Sequence, residues 1–295
     1  MFSASPIGQD RIRWITPLGN LNPPGHAIPT DHIYFYFADP EARESPEARR
    51  SEFYAPGNGT VTTVLGGVGQ ESKIFVRQTA SFVYYLDHLI LSAPLTRGSV
   101  VTAGQLLGTT GNAYGIDLGV INDAVTHNFI IPSHYIADTL HADAPLKYFE
   151  EPLRSQLYAR VERLGDEKDG RIDFDVAGRL SGNWFVGGTQ AVLSFADDTY
   201  DPLEVRISTA RGNPQGVFSI AASDPLPRDV TPASGLVRYT LKRAITGRPR
   251  FTFADSGVIA YMLVQMTDDS RLRMEMFPAA NPPTEFTSGA GVYTR

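Results

Sequence analysis

The sequence contains no cysteine. A disulfide framework, a cysteine-based zinc site and a thiol nucleophile are therefore excluded. No run approaches the roughly 20 apolar residues of a membrane-spanning helix, so insertion into a membrane is not expected. Met1 to Gln9 has no basic stretch followed by an apolar core, so no signal peptide is visible there. Basic charge is scarce: Lys and Arg number 26 against 32 Asp and Glu, a net charge of −6. Residues 1–145 carry 8 basic against 13 acidic side chains, and residues 170–295 carry 13 of each. Neither half has the basic surplus of a nucleic-acid binder, so no nucleic-acid partner is expected. Histidine is missing from the second half, because all six lie between His26 and His141. Metal or acid–base chemistry of the usual kind then belongs to the first half.

Hydrophobic residues make up 42% of the 295, enough for packed cores, and 27 Gly and 21 Pro suit short strands joined by tight turns. The run Ile33 to Phe37 is aromatic and β-branched and predicts a strand buried on both faces. Residues 39–52 are charged, carry Pro40 and Pro46, and read as a polar insertion or surface helix. Pro56-Gly57-Asn58-Gly59 is a turn within an expected hairpin over residues 53–64; Asn58-Gly59-Thr60 also matches a glycosylation triplet, but the turn explains it. Further strands are expected over Ser72–Gln78, Phe82–Ile90 and Ile116–Ile121. Leu146, Phe149, Leu153, Leu157, Val161 and Leu164 recur at helical spacing, which predicts a helix over 145–164 that Asp143 caps. Gly165 to Gly170 is a charged linker. Ten short strands follow, at Arg171–Val176, Asn183–Val186, Ala191–Ala196, Leu203–Thr209, Gly216–Ala221, Gly235–Lys242, Pro249–Ala254, Val258–Met266, Arg271–Phe277 and Gly291–Thr294, the signature of a barrel or sandwich.

Several pieces stand in an order that resembles the lysostaphin/LytM-type zinc metallopeptidases, over roughly residues 14–125. Gly25-His26 with Asp31 resembles the family's first zinc-binding motif. Phe53 to Val61 resembles its Ala-Pro…Gly-x-Val hairpin, Tyr84 to Leu89 its Tyr-x-His-Leu strand, Gly98 to Gly108 its paired glycine turns, and Gly111 to Gly115 its Gly-Asn-x-x-Gly loop. The resemblance implies a LytM-like β-barrel or sandwich, a duplicated hybrid motif, over 1–142; with the linking α-helix and linker read over 143–169 and an antiparallel β-barrel or sandwich over 170–295, the whole chain is expected to be mainly β. Gly182-Asn183-Trp184 is similar to the opening Gly-x-Trp of lipocalin-like barrels, although a core Trp beside a turn accounts for it equally simply. Arg271, Arg273 and Glu275 alternate with apolar residues, as on a half-buried strand or the lining of a polar pocket.

The departures from the family pattern decide the expected function. The family carries His-x-His on the strand after its glycine loop, the first His catalytic and the second a zinc ligand. Here those positions are Asp117-Leu118-Gly119. Glycine offers no donor, and a catalytic zinc needs three protein ligands and an open position. Two readings follow. The first is a degenerate, non-catalytic protein that binds peptide or cell-wall glycopeptide through a vestigial cleft. The second is a metal-dependent hydrolase whose zinc is held by His26, His32 or Asp31, and Asp117, with His88 and Asp117 as catalytic groups. His32 directly follows Asp31, so within one strand the two would face opposite ways. Each residue also has a simpler reading: Asp31 in a turn, His88 a satisfied barrel histidine, Asp117 a solvated strand residue, and His127, His134 and His141 on the surface. The cofactor is accordingly none or zinc. The resemblance implies an extracellular or periplasmic protein lacking its signal peptide; a cytoplasmic one stays open, as does the oligomeric state.

Overall fold

The structure is a computed structural model that describes every residue except 40, 41, 43, 46, 48, 68, 112, 188, 189 and 245–256. Pro40, Pro46, Asn112 and the strand expected at 249–254 lie outside the described residues. The chain is mainly β and forms two compact units. The first comprises Met1–Leu18, Asp31–Thr126 and Ala137–Gly170; the second comprises Gly19–Thr30, His127–Ile136 and Arg171–Arg295.

The first unit is an antiparallel sheet. Its strands are β1 (Trp14–Thr16), β2 (His32–Tyr36), β3 (Glu52–Tyr54), β4 (Gly59–Leu65), β5 (Glu71–Thr79), β6 (Phe82–Leu91), β7 (Val100–Val101), β8 (Leu106–Thr110), β9 (Gly115–Asn122) and β10 (Ala142–Asp143). The main order is β1-β2-β9-β6-β5-β4-β7; β8 joins β3 to β6, and β10 pairs with β9. Side chains alternate between two faces, and the ladder register sorts them. Ile33, Phe35, Ile74, Val76, Tyr84, Leu86, Ile116, Leu118 and Val120 share one face and are all buried. At about 1.5–3 kcal/mol for each fully buried large apolar side chain, this face holds the sheet together. The opposite face carries His32, Tyr34, Tyr36, Lys73, Phe75, Tyr85, Asp87, Asp117 and Gly119. The expected hairpin over 53–64 is not formed: β3 pairs with β8, and β4 pairs with β5 and β7. The turn between them carries the chain to a new neighbour, and Asn58 Oδ1 fastens it by accepting from the Ala103 backbone N–H at 2.8 Å.

No long helix links the units, which corrects the helix expected over 145–164. A 3-10 turn spans Pro145–Tyr148, and α2 covers only Leu153–Tyr158; among the described residues the other α-helix, α1, is Ala137–Leu140. Pro152 stands just before α2. It has no N–H to donate, and its ring clashes with the carbonyl four residues earlier, so a helix cannot run through it. Leu146, Phe149, Leu157 and Val161 are nonetheless buried. Their spacing reported burial, which an irregular chain satisfies as well.

The second unit is a closed eight-stranded antiparallel barrel: β11 (Gly182–Val186), β12 (Gln190–Asp197), β13 (Val205–Thr209), β14 (Gly216–Ile220), β15 (Val237–Arg243), β16 (Val258–Asp268), β17 (Arg271–Pro278) and β18 (Gly291–Thr294). Among the described expectations, only Arg171–Val176 fails to become a strand. Trp184, Phe195, Ile207, Phe218, Tyr239, Met262, Val264, Leu272 and Met274 belong to its buried core. The Trp184 indole N–H donates to the Leu180 carbonyl at 2.9 Å, and the Arg295 guanidinium lies 4.2 Å from its ring centroid. A Trp held this way needs no lipocalin ancestry, so the barrel stands as a barrel and the finer label is not carried by it. Arg273 and Glu275 lie off the core, Arg273 over the Phe286 ring and Glu275 accepting from the Thr287 backbone N–H at 2.8 Å, as the half-buried strand reading expects.

Candidate functional site

The polar face of the first unit's sheet concentrates its ionisable groups where β2, β9, β6 and β5 lie side by side. His32 opens β2 and pairs with Gly119 across the ladder, while Tyr34 pairs with Asp117. On the other side of β9, Tyr85 pairs with Gly119 and Asp87 with Asp117. Asp31 lies just before the strand begins, so strict alternation does not apply to it. Its carboxylate turns to the same side as His32, contrary to the expectation that the two would part: His32 Nδ1 is 2.9 Å from Asp31 Oδ1.

The side chains form a line in which carboxylate and imidazole alternate. Glu71 Oε2 is 3.4 Å from His88 Nδ1, and His88 Nε2 is 3.5 Å from Asp117 Oδ2. The same Asp117 oxygen is 3.3 Å from His32 Nε2, and Asp31 closes the line. Asp31 also accepts from the Tyr85 hydroxyl at 2.8 Å and from the Thr139 hydroxyl at 2.6 Å. The Tyr34 hydroxyl is 3.0 Å from His32 Nε2.

Both nitrogens of His32 face carboxylates, an arrangement that favours the imidazolium, which donates from each. Burial by itself lowers the pKa of His32, but the Asp117 charge and the Asp31 hydrogen bond outweigh it and raise the value above the ordinary 6.5. Burial would raise Asp31, yet the hydrogen bond and charge of His32, with Thr139 and Tyr85 donating, hold it far below the usual carboxylate range. Asp117 is pushed up by burial, against the pull of His32 and His88. Its Oδ1 is buried and receives no hydrogen bond. Burial, reinforced by the Asp31 charge, keeps the Tyr85 phenol firmly protonated.

His88 is the one non-glycine residue among those described with a left-handed backbone, at φ 66°. The β5–β6 register explains it. Ser72 pairs with Leu89 and Ile74 with Leu86, so Asp87 and His88 together oppose Lys73, a β-bulge. The His88 backbone N–H donates to Asp87 Oδ1 at 2.7 Å, and its side chain is 39% exposed. Bulges of this kind re-aim a side chain, and histidine tolerates the left-handed region better than most residues.

The resemblance implies zinc, and the donors present do not fit it. A Cβ built on Gly119 would stand 2.0 Å from Tyr85 Cζ, so the tyrosine ring fills the volume that a ligand side chain at 119 would need. Asp31 spends one oxygen on His32 and Tyr85 and the other on Thr139. His32 spends both nitrogens within the line. Among the described residues no group of three or more His, Asp or Glu could hold a metal ion.

Of the expected site residues, Asp31, His32, His88 and Asp117 are brought together. His26 belongs to the Gly19–Thr30 segment of the second unit, where its backbone forms a two-way bridge with Asn22. His127 and His134 also belong to the second unit, and His141 Nδ1 is 2.7 Å from the Val125 carbonyl oxygen. Sequence reasoning missed Tyr34, Glu71, Tyr85 and Thr139. Tyr85 carried a signal, because a glycine inside a strand marks a place where something approaches closely. The register that pairs it with Gly119 is set by the three-dimensional sheet.

No family model and no curated protein sequence matches the chain. Solved structures of M23/LytM-type peptidases are similar to it in part. A zinc-containing peptidase from Vibrio cholerae shares 17% identity over 41% of this chain and 37% of its own, with a TM-score of 0.31. Pseudoalterin, an M23 metalloprotease from the deep sea, shares 15% over 52% of this chain and 92% of its own, with a TM-score of 0.32. A putative glycyl-glycine endopeptidase lytM from Ruminococcus gnavus shares 18% over 38% of this chain and 54% of its own, with a TM-score of 0.23. The chain spans little more than a third of the length of the first of these structures. At these TM-scores the likeness carries no argument, and neither activity nor ligand is taken from it.

Proposed function

We propose that the first unit is a degenerate, non-catalytic relative of the lysostaphin/LytM-type peptidases that binds peptide or cell-wall glycopeptide on the polar face of its sheet, outside the cytoplasm. The observation that carries the non-catalytic reading is the Tyr85 ring in the space above Gly119. With that space filled and both Asp31 oxygens engaged, a tetrahedral zinc lacks its ligands. Aromatic rings beside a few fixed polar groups are what a binding site for an organic ligand offers. Tyr34 and Tyr36 are half-buried here, their ring centroids 5.9 Å apart, beside His32 and the exposed rim of His88 and Glu71.

The alternative, a hydrolase with a rearranged metal site on His26, His32 or Asp31, and Asp117, has one observation in its favour: the unpaired Oδ1 of Asp117. That single acceptor is outweighed by the donors already committed. The test is to sediment insoluble peptidoglycan with the full chain, with and without chelator. We expect co-sedimentation that chelation leaves unchanged, and no release of soluble fragments. Zinc-dependent release would overturn the non-catalytic reading, and absence of co-sedimentation would overturn the ligand.

A further inference from the structure

The second unit holds a cavity of about 220 Å³ at one end of the barrel, where β12 ends and β13 begins. Every residue of its lining belongs to this unit. Phe174, Phe195, Ala196, Val205 and Pro227 line it, and all five are buried, so its wall is largely apolar. The wall is also held in place. The Leu180 N–H donates to the Val230 carbonyl at 3.0 Å, which ties the segment ahead of β11 to the 3-10 turn Pro227–Asp229. The Arg295 guanidinium donates to the Val176 carbonyl at 2.9 Å and to the carbonyls of Arg179 and Ser181. A preformed cavity binds without the entropy cost of ordering its walls.

Two guanidiniums, those of Arg171 and Arg228, line the cavity beside the acid Asp197. Arg171 lies 5.2 Å from the Phe174 ring centroid and donates from Nε to Asp173 Oδ1 at 2.9 Å, so its charge is already matched. Arg228 is exposed, and among the described residues its guanidinium makes no ion pair or hydrogen bond. An exposed arginine is ordinary by itself. At the edge of an apolar cavity its planar fork suits an anion that also has an apolar body to bury.

We propose that this cavity binds a small carboxylate carrying one aromatic ring, with the ring against Phe174 and Phe195 and the carboxylate on Arg228. Size sets the body: a dry cavity of about 150 Å³ accepts benzene, so this one takes a single ring with a short stem. Ring against ring adds to the gain from buried area. Charge sets the head, because a guanidinium meets a carboxylate through two parallel hydrogen bonds. The site lies in the barrel unit and does not depend on what the first unit binds.

The test titrates the full chain with phenylpropionate, with its uncharged amide phenylpropionamide and with acetate, and follows the Ala196 and Val205 methyl signals by NMR. We expect phenylpropionate to shift both signals and the amide to bind roughly tenfold more weakly, the size of one lost charge-assisted hydrogen bond. Acetate has no ring to bury and should leave the signals in place. Arg228→Gln should bind acid and amide equally. Arg228 is exposed, so the fold tolerates that change. No shift with phenylpropionate overturns the site, and acetate binding as well as phenylpropionate overturns the aromatic ligand. Equal binding of acid and amide by the parent chain, or a preference for the acid that survives Arg228→Gln, overturns the carboxylate contact.

Discussion

Gly119 and Tyr85 act as one packing unit, and each can be tested through the other. Gly119→Ala puts a methyl group into a ring 2.0 Å away, so we expect a loss of about 1–3 kcal/mol by urea denaturation, the usual cost of overpacking. Tyr85→Phe keeps the ring and removes the donor to Asp31 Oδ1, which should cost about 1.5–3 kcal/mol, the worth of a hydrogen bond to a charged group. In a Tyr85→Ala background the penalty of Gly119→Ala should disappear. If it persists, the ring does not fill the space above Gly119.

His32 makes the site's stability depend on pH. Its pKa is raised in the fold, so its contribution is fully present below the ordinary 6.5 and is lost as pH rises through the folded value. The pKa of Asp31 is depressed, so its contribution is present above the ordinary 3.8 and is lost only on strong acidification. The pair therefore contributes most between those two ordinary values. His32→Gln should cost about 3–5 kcal/mol at about pH 5, since it strips a buried carboxylate of its partner, and distinctly less at about pH 9. Equal losses at the two pH values would refute the charged pair.

At the level of elements, the β6 bulge carries a conformational cost. A left-handed residue with a side chain costs roughly 1–2 kcal/mol, least for histidine, asparagine and aspartate and most for β-branched residues. His88→Gly should therefore be more thermostable than His88→Val, and the order is read from melting temperatures. A reversed order would mean that the bulge is not what holds His88. The same scale shows where sequence reading succeeds and where it stops. Barrel strands such as Val205–Thr209 and Gly291–Thr294 were legible because alternation and turn chemistry are local signals. Residues 145–164 were not, because Pro152 breaks a helix that the apolar spacing favours. The hairpin over 53–64 also misled, since a good turn fixes the direction of the chain and not the partner of the next strand.

At the scale of the whole molecule, a mainly β chain ending in a barrel could be read from composition and pattern, and the described structure has both. The candidate site was half legible. Asp31, His32, His88 and Asp117 stood out by residue type, while Tyr85 and Thr139 reach Asp31 from 54 and 108 positions away, a proximity only the folded sheet creates. The segments 19–30 and 127–136 cluster with the second unit, which no local signal announces.

The central claim is that the tyrosine, imidazole and carboxylate groups of this face are committed to one another and, among the described residues, leave no set of donors for a metal. Its most direct test is the zinc content of the full chain after exposure to excess zinc and removal of unbound metal. The account predicts far less than one zinc per chain, and a melting temperature unmoved by chelator. One zinc per chain, lost in His32→Ala or Asp117→Ala, would contradict it.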